Sequence, residues 1–166
     1  MRYRVIISLA AVLAALDQLS KWVVNECLAA DQVVPLTSFF NLVNVRNHGA
    51  AFGLLNDPSS TWQFWLFAAA TALAFAVIFY VARGAAEKDK LLFCALGSIL
   101  GGALGNFIDR VRLRAVVDFL DFHVAGWHWP AFNLADICIC VGAFAIALIV
   151  LFSPPAASEK TPGRRN

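Results

Sequence analysis

FNLADICICVGAFAIALIVLF, residues 132–152, is an apolar run broken by only two strongly polar side chains, Asn133 and Asp136, both near its start. A helix rises 1.5 Å per residue, so a hydrocarbon core of about 30 Å is crossed by roughly 20 residues, which this run supplies. It is also apolar on every side, as a helix must be when its surroundings are lipid rather than water. Working outward, residues 5–24, 62–82 and 91–108 have the same character and comparable length. The chain as a whole is 60% hydrophobic and 14% charged, far outside the composition of soluble domains. The reading is an all-α membrane protein, a four-helix transmembrane bundle with a small outer β-cradle or amphipathic segment. The spans take up so much of the chain that the loops cannot build a water-soluble core. Residues 1–153 are therefore expected to form a single transmembrane domain, and the Pro-, Ser- and charge-rich stretch 154–166 a disordered cytoplasmic tail.

The first run has a competing reading, because Arg2 and Arg4 ahead of a run containing Leu-Ala-Ala-Leu resemble a secretory leader. Three further spans argue for a retained helix, and cleavage would discard Asp17 and Lys21. Cys27, Cys94, Cys138 and Cys140 form no Cys-x-x-Cys pair and no zinc spacing, so they read as small apolar residues within helices. No metal and no cofactor is expected.

Four spans put both termini and the 83–90 loop on one side. That side carries eight basic residues against three acidic ones, a net of +5, and the other side five against eight, a net of −3. The positive-inside rule places both termini in the cytoplasm. Arg110, Arg112 and Arg114 run against the rule, which calls for local partners or lipid headgroups. Trp22, Trp62, Trp65, Trp127 and Trp129 all fall at the opposite, outer ends of spans, where amphipathic rings favour the interface. The outer stretch 39–47 is rich in β-branched and aromatic residues, which predicts a small strand pair or cradle on the bilayer. Gly49 and Gly53 break that run, and residues 56–60 have turn chemistry leading into the second span. In the third span Gly97, Gly101 and Gly105 share one face, which allows close approach by another helix.

A charged side chain inside a span costs about 2.5 to 3.5 kcal/mol on insertion scales, so each one demands a reason. Asp17 and Lys21 are four residues apart, the spacing of an intrahelical ion pair. Asn106, Asp109 and Arg110 close the third span, with Asn106 one turn from both others. Asn133 is placed to cap the fourth helix, leaving Asp136 one turn inside with no cap role to explain it. Asp118 lies among Val116, Val117, Phe119 and Leu120, an unusual setting for a solvated carboxylate.

Two carboxylates held together at an apolar interface cannot both ionise. The ionised one can take a proton from a water held between them while the protonated one polarises a carbonyl, which is the chemistry of an aspartic protease. By spacing alone Asp109, Asp118, Asp121 and Asp136 are all candidates. Other nucleophilic sets fail on inventory, since there is no Ser-x-x-Lys, Gly-x-Ser-x-Gly or His-Glu-x-x-His. Ser20 and Lys21, as helix neighbours, do not face each other. His48, His123 and His128 read as interface residues in outer loops. A proton-coupled transporter would place its acids near mid-bilayer and tends to carry an inverted repeat, neither of which is seen. A non-catalytic scaffold pinned by polar clusters is the remaining alternative.

Five polar blocks occur in order: Asp17-Gln18-Leu19-Ser20-Lys21, Asn47-His48-Gly49-Ala50-Ala51-Phe52, Gly105-Asn106-Phe107-Ile108-Asp109-Arg110, Val116-Val117-Asp118-Phe119 and Phe132-Asn133-Leu134-Ala135-Asp136. In these blocks the chain closely resembles the lipoprotein signal peptidases (signal peptidase II), bacterial four-helix aspartic proteases. The resemblance implies that Asp118 and Asp136 form the catalytic dyad. It implies that Asp17, Lys21, Asn47, Gly49, Asn106, Asp109, Arg110 and Asn133 shape the site or hold substrate. It further implies an endopeptidase of the bacterial inner membrane, with its site near the periplasmic face. Such an enzyme removes signal peptides from prolipoproteins just before a diacylglyceryl-modified cysteine and is inhibited by globomycin. The partners it implies are those prolipoproteins and membrane lipid, with no nucleic acid. None of the four cysteines follows the Leu-small-small-Cys pattern of such substrates, so the chain is not expected to be one itself.

Overall fold

The computed structural model describes residues 1–49 and 61–152, so Gly53, the expected turn at 56–60 and the tail 154–166 lie outside the described residues. Its four long helices are α1 (Arg2–Cys27), α2 (Trp62–Gly84), α3 (Lys90–Leu113) and α4 (Leu134–Phe152), each long and apolar enough to cross a membrane. They fall where the apolar runs place them, with one informative difference. The third helix does not stop at Ile108 but continues to Leu113, taking Asp109, Arg110 and Arg112 into its last turns. Charge ends a membrane helix only if the charge has to leave it. Asp109 is 2% exposed because partners on other elements meet it inside the protein. The helix closes when Arg114 adopts a left-handed conformation, φ 58°.

α3 is the central helix, packed closely on α1 and α4 and less extensively on α2. The glycine face makes this possible. A Cβ on Gly101 would lie 2.9 Å from Leu13 Cβ and 3.0 Å from the Ala10 carbonyl oxygen, closer than a methyl group tolerates. One position on, Gly102 lets α4 approach as tightly, since a Cβ there would strike the Ala135 carbonyl. Toward the chain termini, Ile6, Ala10, Ile78, Ala82, Phe93, Leu96 and Leu100 form an apolar core. Arg2 fastens this end by donating to the Ala82 and Arg83 carbonyls at the end of α2 and to Glu87.

At the other end lies a four-stranded antiparallel sheet in the order β1 (Val33–Pro35), β2 (Phe40–Asn47), β3 (Val116–Val124), β4 (Trp127–His128). The strand predicted at 39–47 is β2, but its longer partner comes from far along the chain: Asn47 sits opposite Val116 and Phe40 opposite Phe122. An irregularity between Leu42 and Val45 turns Asn44 toward the end of α1, where its amide donates to the Leu28 carbonyl. β3 and β4 are joined through Ala125 and Gly126, both at positive φ as a tight hairpin turn requires. His123 and His128, expected in loops, are instead a cross-strand pair with stacked rings. All five tryptophans lie at this end of the molecule and are largely exposed.

Candidate active site

Side chains alternate along a strand, so Asp118 points away from its neighbours Val117 and Phe119. The strand is tied to the entry of α4 by three backbone hydrogen bonds: Phe119 N and Leu120 N donate to the Phe132 carbonyl, and Phe132 N donates to the Leu120 carbonyl. The next residue, Asn133, is fully buried. Its Nδ2 donates to Asp118 Oδ1 at 2.7 Å, and its Oδ1 accepts from Asp136 N at 3.0 Å. Asn133 N in turn donates to Asp136 Oδ2 at 3.2 Å. The last two bonds make a reciprocal capping box on α4. Asp136 therefore does have a cap role, contrary to the expectation from sequence. Because it sits in the first turn, one of its oxygens reaches back to a free backbone N–H.

The other carboxylate oxygens are also held by amides. Asn47 Nδ2, at the end of β2, donates to Asp118 Oδ2 at 3.0 Å, and Asn106 Nδ2, on α3, donates to Asp136 Oδ1 at 2.8 Å. Both aspartates line one cavity of about 490 Å³. Asn47, Gly49, Asn106 and Arg110 share its polar side, and Trp129, Phe132, Ile137, Cys140 and Val141 contribute an apolar side. Burial pushes the Asp118 carboxyl up to about 7, helped by the Asp136 carboxylate and opposed by the Asn47 and Asn133 hydrogen bonds.

The remaining residues expected to shape the site form a second layer. Lys21 Nζ reaches Asp17 Oδ2 at 2.8 Å, as the spacing in the first span predicts, and also Asp109 Oδ2 at 2.9 Å and Asn106 Oδ1 at 3.0 Å. Asp17 Oδ1 accepts from Ala135 N in the first turn of α4, and Asp109 Oδ2 accepts from Val117 N on β3. Helical spacing turns Asn106 toward Asp109 and Arg110, but its side chain bonds Lys21, Asn133 and Asp136 instead. Arg110 Nη2 donates to the Gly49 carbonyl at 3.3 Å, and its guanidinium lies 4.1 Å from the centre of the Phe67 ring. Asn47 Oδ1 accepts from Gly49 N, so β2 ends in a small turn at the cavity edge.

Of the four aspartates left open by spacing, two are thus engaged elsewhere. Asp109 is bound to Lys21 and Gln18, and Asp121 is bound to Asn41 at 2.7 Å and His128 at 2.9 Å on a different hollow beside Val43 and Val45. Asp118 and Asp136 are the two that share the cavity. Sequence reasoning missed Gln18, whose Nε2 joins Asp109 Oδ1 at 2.9 Å and the Gly105 carbonyl at 3.1 Å. An amide inside an apolar span was the available signal. Asn41 gave none, because only the register of β2 on β3 puts it beside Asp121.

A bundle of four membrane-length helices with two carboxylates on one cavity defines a multi-pass membrane protein. A bacterial membrane enzyme solved in meso at 2.3 Å superposes with a TM-score of 0.80 at 28% identity, covering 95% of this chain and 94% of that one. The chain belongs to the signal peptidase II family, whose sequence profile matches residues 9–152. The lipoprotein signal peptidase of Nitratidesulfovibrio vulgaris (strain DP4) is 50% identical over 157 residues, 94% of either chain. That of Oleidesulfovibrio alaskensis is 50% identical over 150 residues, covering 90% of this chain and 96% of its own. The protein is a multi-pass bacterial membrane protease.

Proposed function

We propose that this protease removes the signal peptide from prolipoproteins, cutting just before a diacylglyceryl-modified cysteine, with Asp118 and Asp136 as the catalytic pair. The observation that carries the reading is that both carboxylates border one cavity while every other candidate acid is engaged elsewhere. In the resting site one of the two carboxyls carries a proton, for which the raised Asp118 carboxyl is the support. A water between them gives a proton to the ionised carboxylate as its oxygen attacks the scissile carbonyl, and the protonated carboxyl donates to the carbonyl oxygen. The tetrahedral diol then collapses. The C–N bond breaks, the amine of the modified cysteine leaves with a proton from the pair, and the signal peptide keeps a carboxylate.

The amides of Asn47, Asn106 and Asn133 hold the two carboxylates at fixed angles, and Arg110 and Gly49 present donors and backbone at the cavity rim to an extended peptide. The apolar side of the cavity suits a substrate that carries a hydrophobic signal helix and two acyl chains and enters through lipid. We place the termini in the cytoplasm and the cavity at the outer face, a reading supported by the charge asymmetry and the tryptophan belt. Globomycin, as a cyclic peptide inhibitor, would occupy the same cavity.

Purified Asp118→Asn and Asp136→Asn variants are expected to lose cleavage of a lipid-modified precursor by at least about a thousandfold while keeping the parent's elution profile in detergent. Full activity in either folded variant overturns the assignment.

A further inference from the structure

The proposed dyad is oriented by side-chain amides, and an amide is useful there only if its N–H₂ end, rather than its oxygen, faces the carboxylate. Something has to decide which way each one points. Lys21 is 2% exposed, held between partners on α1 and α3. Its ammonium has three N–H groups and no acceptor, and all three are used, on Asp17 Oδ2, Asp109 Oδ2 and Asn106 Oδ1.

An ammonium tolerates only an oxygen from Asn106, so the opposite end of that amide, Nδ2, must face Asp136 Oδ1, as it does at 2.8 Å. The same Asn106 oxygen also accepts from Asn133 Nδ2 at 3.1 Å. That fixes the second amide too. Its Nδ2 reaches Asp118 Oδ1, and its oxygen is left to accept from Asp136 N.

We infer that Lys21 is a positioning residue of the reaction, whose buried ammonium sets the donor direction of Asn106 and Asn133 and thereby presents N–H groups to both working carboxylates. The inference rests on the aspartate reading above. Lys21 touches neither the substrate's path nor the reacting atoms, and acts through one amide on Asp136 and through two on Asp118. Its positive charge also favours the ionised form of Asp118. Of the other charged groups packed here, Arg110 on α3 lines the cavity with the dyad, while Asp17 on α1 and Asp109 on α3 face Lys21. On β2, Arg46 turns away to Asn25, and His48 just beyond the strand borders a neighbouring hollow beside Arg110.

A lone Lys21→Met change would strand two buried carboxylates, so the test uses Asp17→Asn together with Lys21→Met, which leaves the net charge unchanged and keeps an oxygen for Ala135 N. Steady-state cleavage of a lipid-modified precursor is measured, with Asp136→Asn alongside. The expected result is a fall in kcat on the order of a hundredfold with KM nearly unchanged. A lysine with a purely structural role would lower the unfolding temperature and leave kcat per folded molecule intact.

A folded double variant with the parent's kcat overturns the inference. If it does not fold, Asn106→Asp decides. That change keeps an oxygen for Lys21 but turns a carboxylate oxygen, not an N–H, toward Asp136, so a comparable loss of kcat is expected and parental kcat overturns the inference. An active Asp136→Asn would show instead that the aspartate reading itself had failed.

Discussion

The two ends of the bundle are built from the same helices by opposite means. Near the termini, Ile6, Ala10, Ile78, Phe93, Leu96 and Leu100 meet as apolar surfaces whose shape keeps the helices in register, with Arg2 donating across to α2 and Glu87 at the rim. Between lipid-exposed helices there is no water to expel, so this half is held by van der Waals packing that the glycine face makes close. Near the sheet, Asp17, Lys21, Asn106, Asp109 and Asn133 are as deeply buried, yet each is held by directed bonds of 2.7 to 3.3 Å. Packing tolerates a small slide of one helix on another. A chain of hydrogen bonds does not, and catalytic groups need that intolerance.

The contrast can be broken from the polar side first. Asp17→Ala is expected to cost about 3 to 5 kcal/mol, because it leaves Lys21 short of a buried partner and Ala135 N without an acceptor. Poor accumulation and a lowered unfolding temperature in detergent would register it. Leu96→Ala, in the apolar half, should cost about 2 kcal/mol by opening a cavity, yet leave cleavage per folded molecule intact. A catalytic defect there would mean the two halves are not separable.

The pH profile sharpens the comparison on the chemistry itself. With the Asp118 carboxyl raised to about 7, its proton is held below that value and lost above it. Activity should therefore fall about tenfold per pH unit on the alkaline side. A profile flat to pH 9 would contradict a protonated partner. The smallest effect belongs to the sheet's outer rim: His128→Ala removes a half-exposed partner of Asp121 and should cost no more than about 1 kcal/mol in thermal unfolding.

Much of this architecture is legible in the residues themselves. The four spans follow from runs of about 20 apolar residues, the Asp17 and Lys21 pair from helical spacing, and the Asn133 cap from its place before an apolar run. Three features are hidden or misleading there. The end of α3 lies beyond where the sequence suggests, because Asp109 and Arg110 look like water-seeking residues when their partners, on α1, β3 and the turn after β2, are distant along the chain. The sheet reads as a local feature of 39–47, whereas β2 pairs with a strand some seventy residues later, and register over such a distance leaves no local mark. The cap role of Asp136 does leave one, since Asn-x-x-Asp ahead of an apolar run is a shorter form of the usual capping box.

The register of β2 on β3 has a consequence for how the protein comes into being. Asp118 arrives on a strand outside the spans, and Asp136 on the first turn of the last one, with amides from β2, α3 and the entry to α4 needed to aim them. During membrane insertion a chain that has delivered only three spans lacks Asp136 and has just one of the two amides that hold Asp118, that of Asn47. A cutting site assembled this late cannot act while its own chain is unfinished, so hydrolysis becomes the last property the molecule acquires.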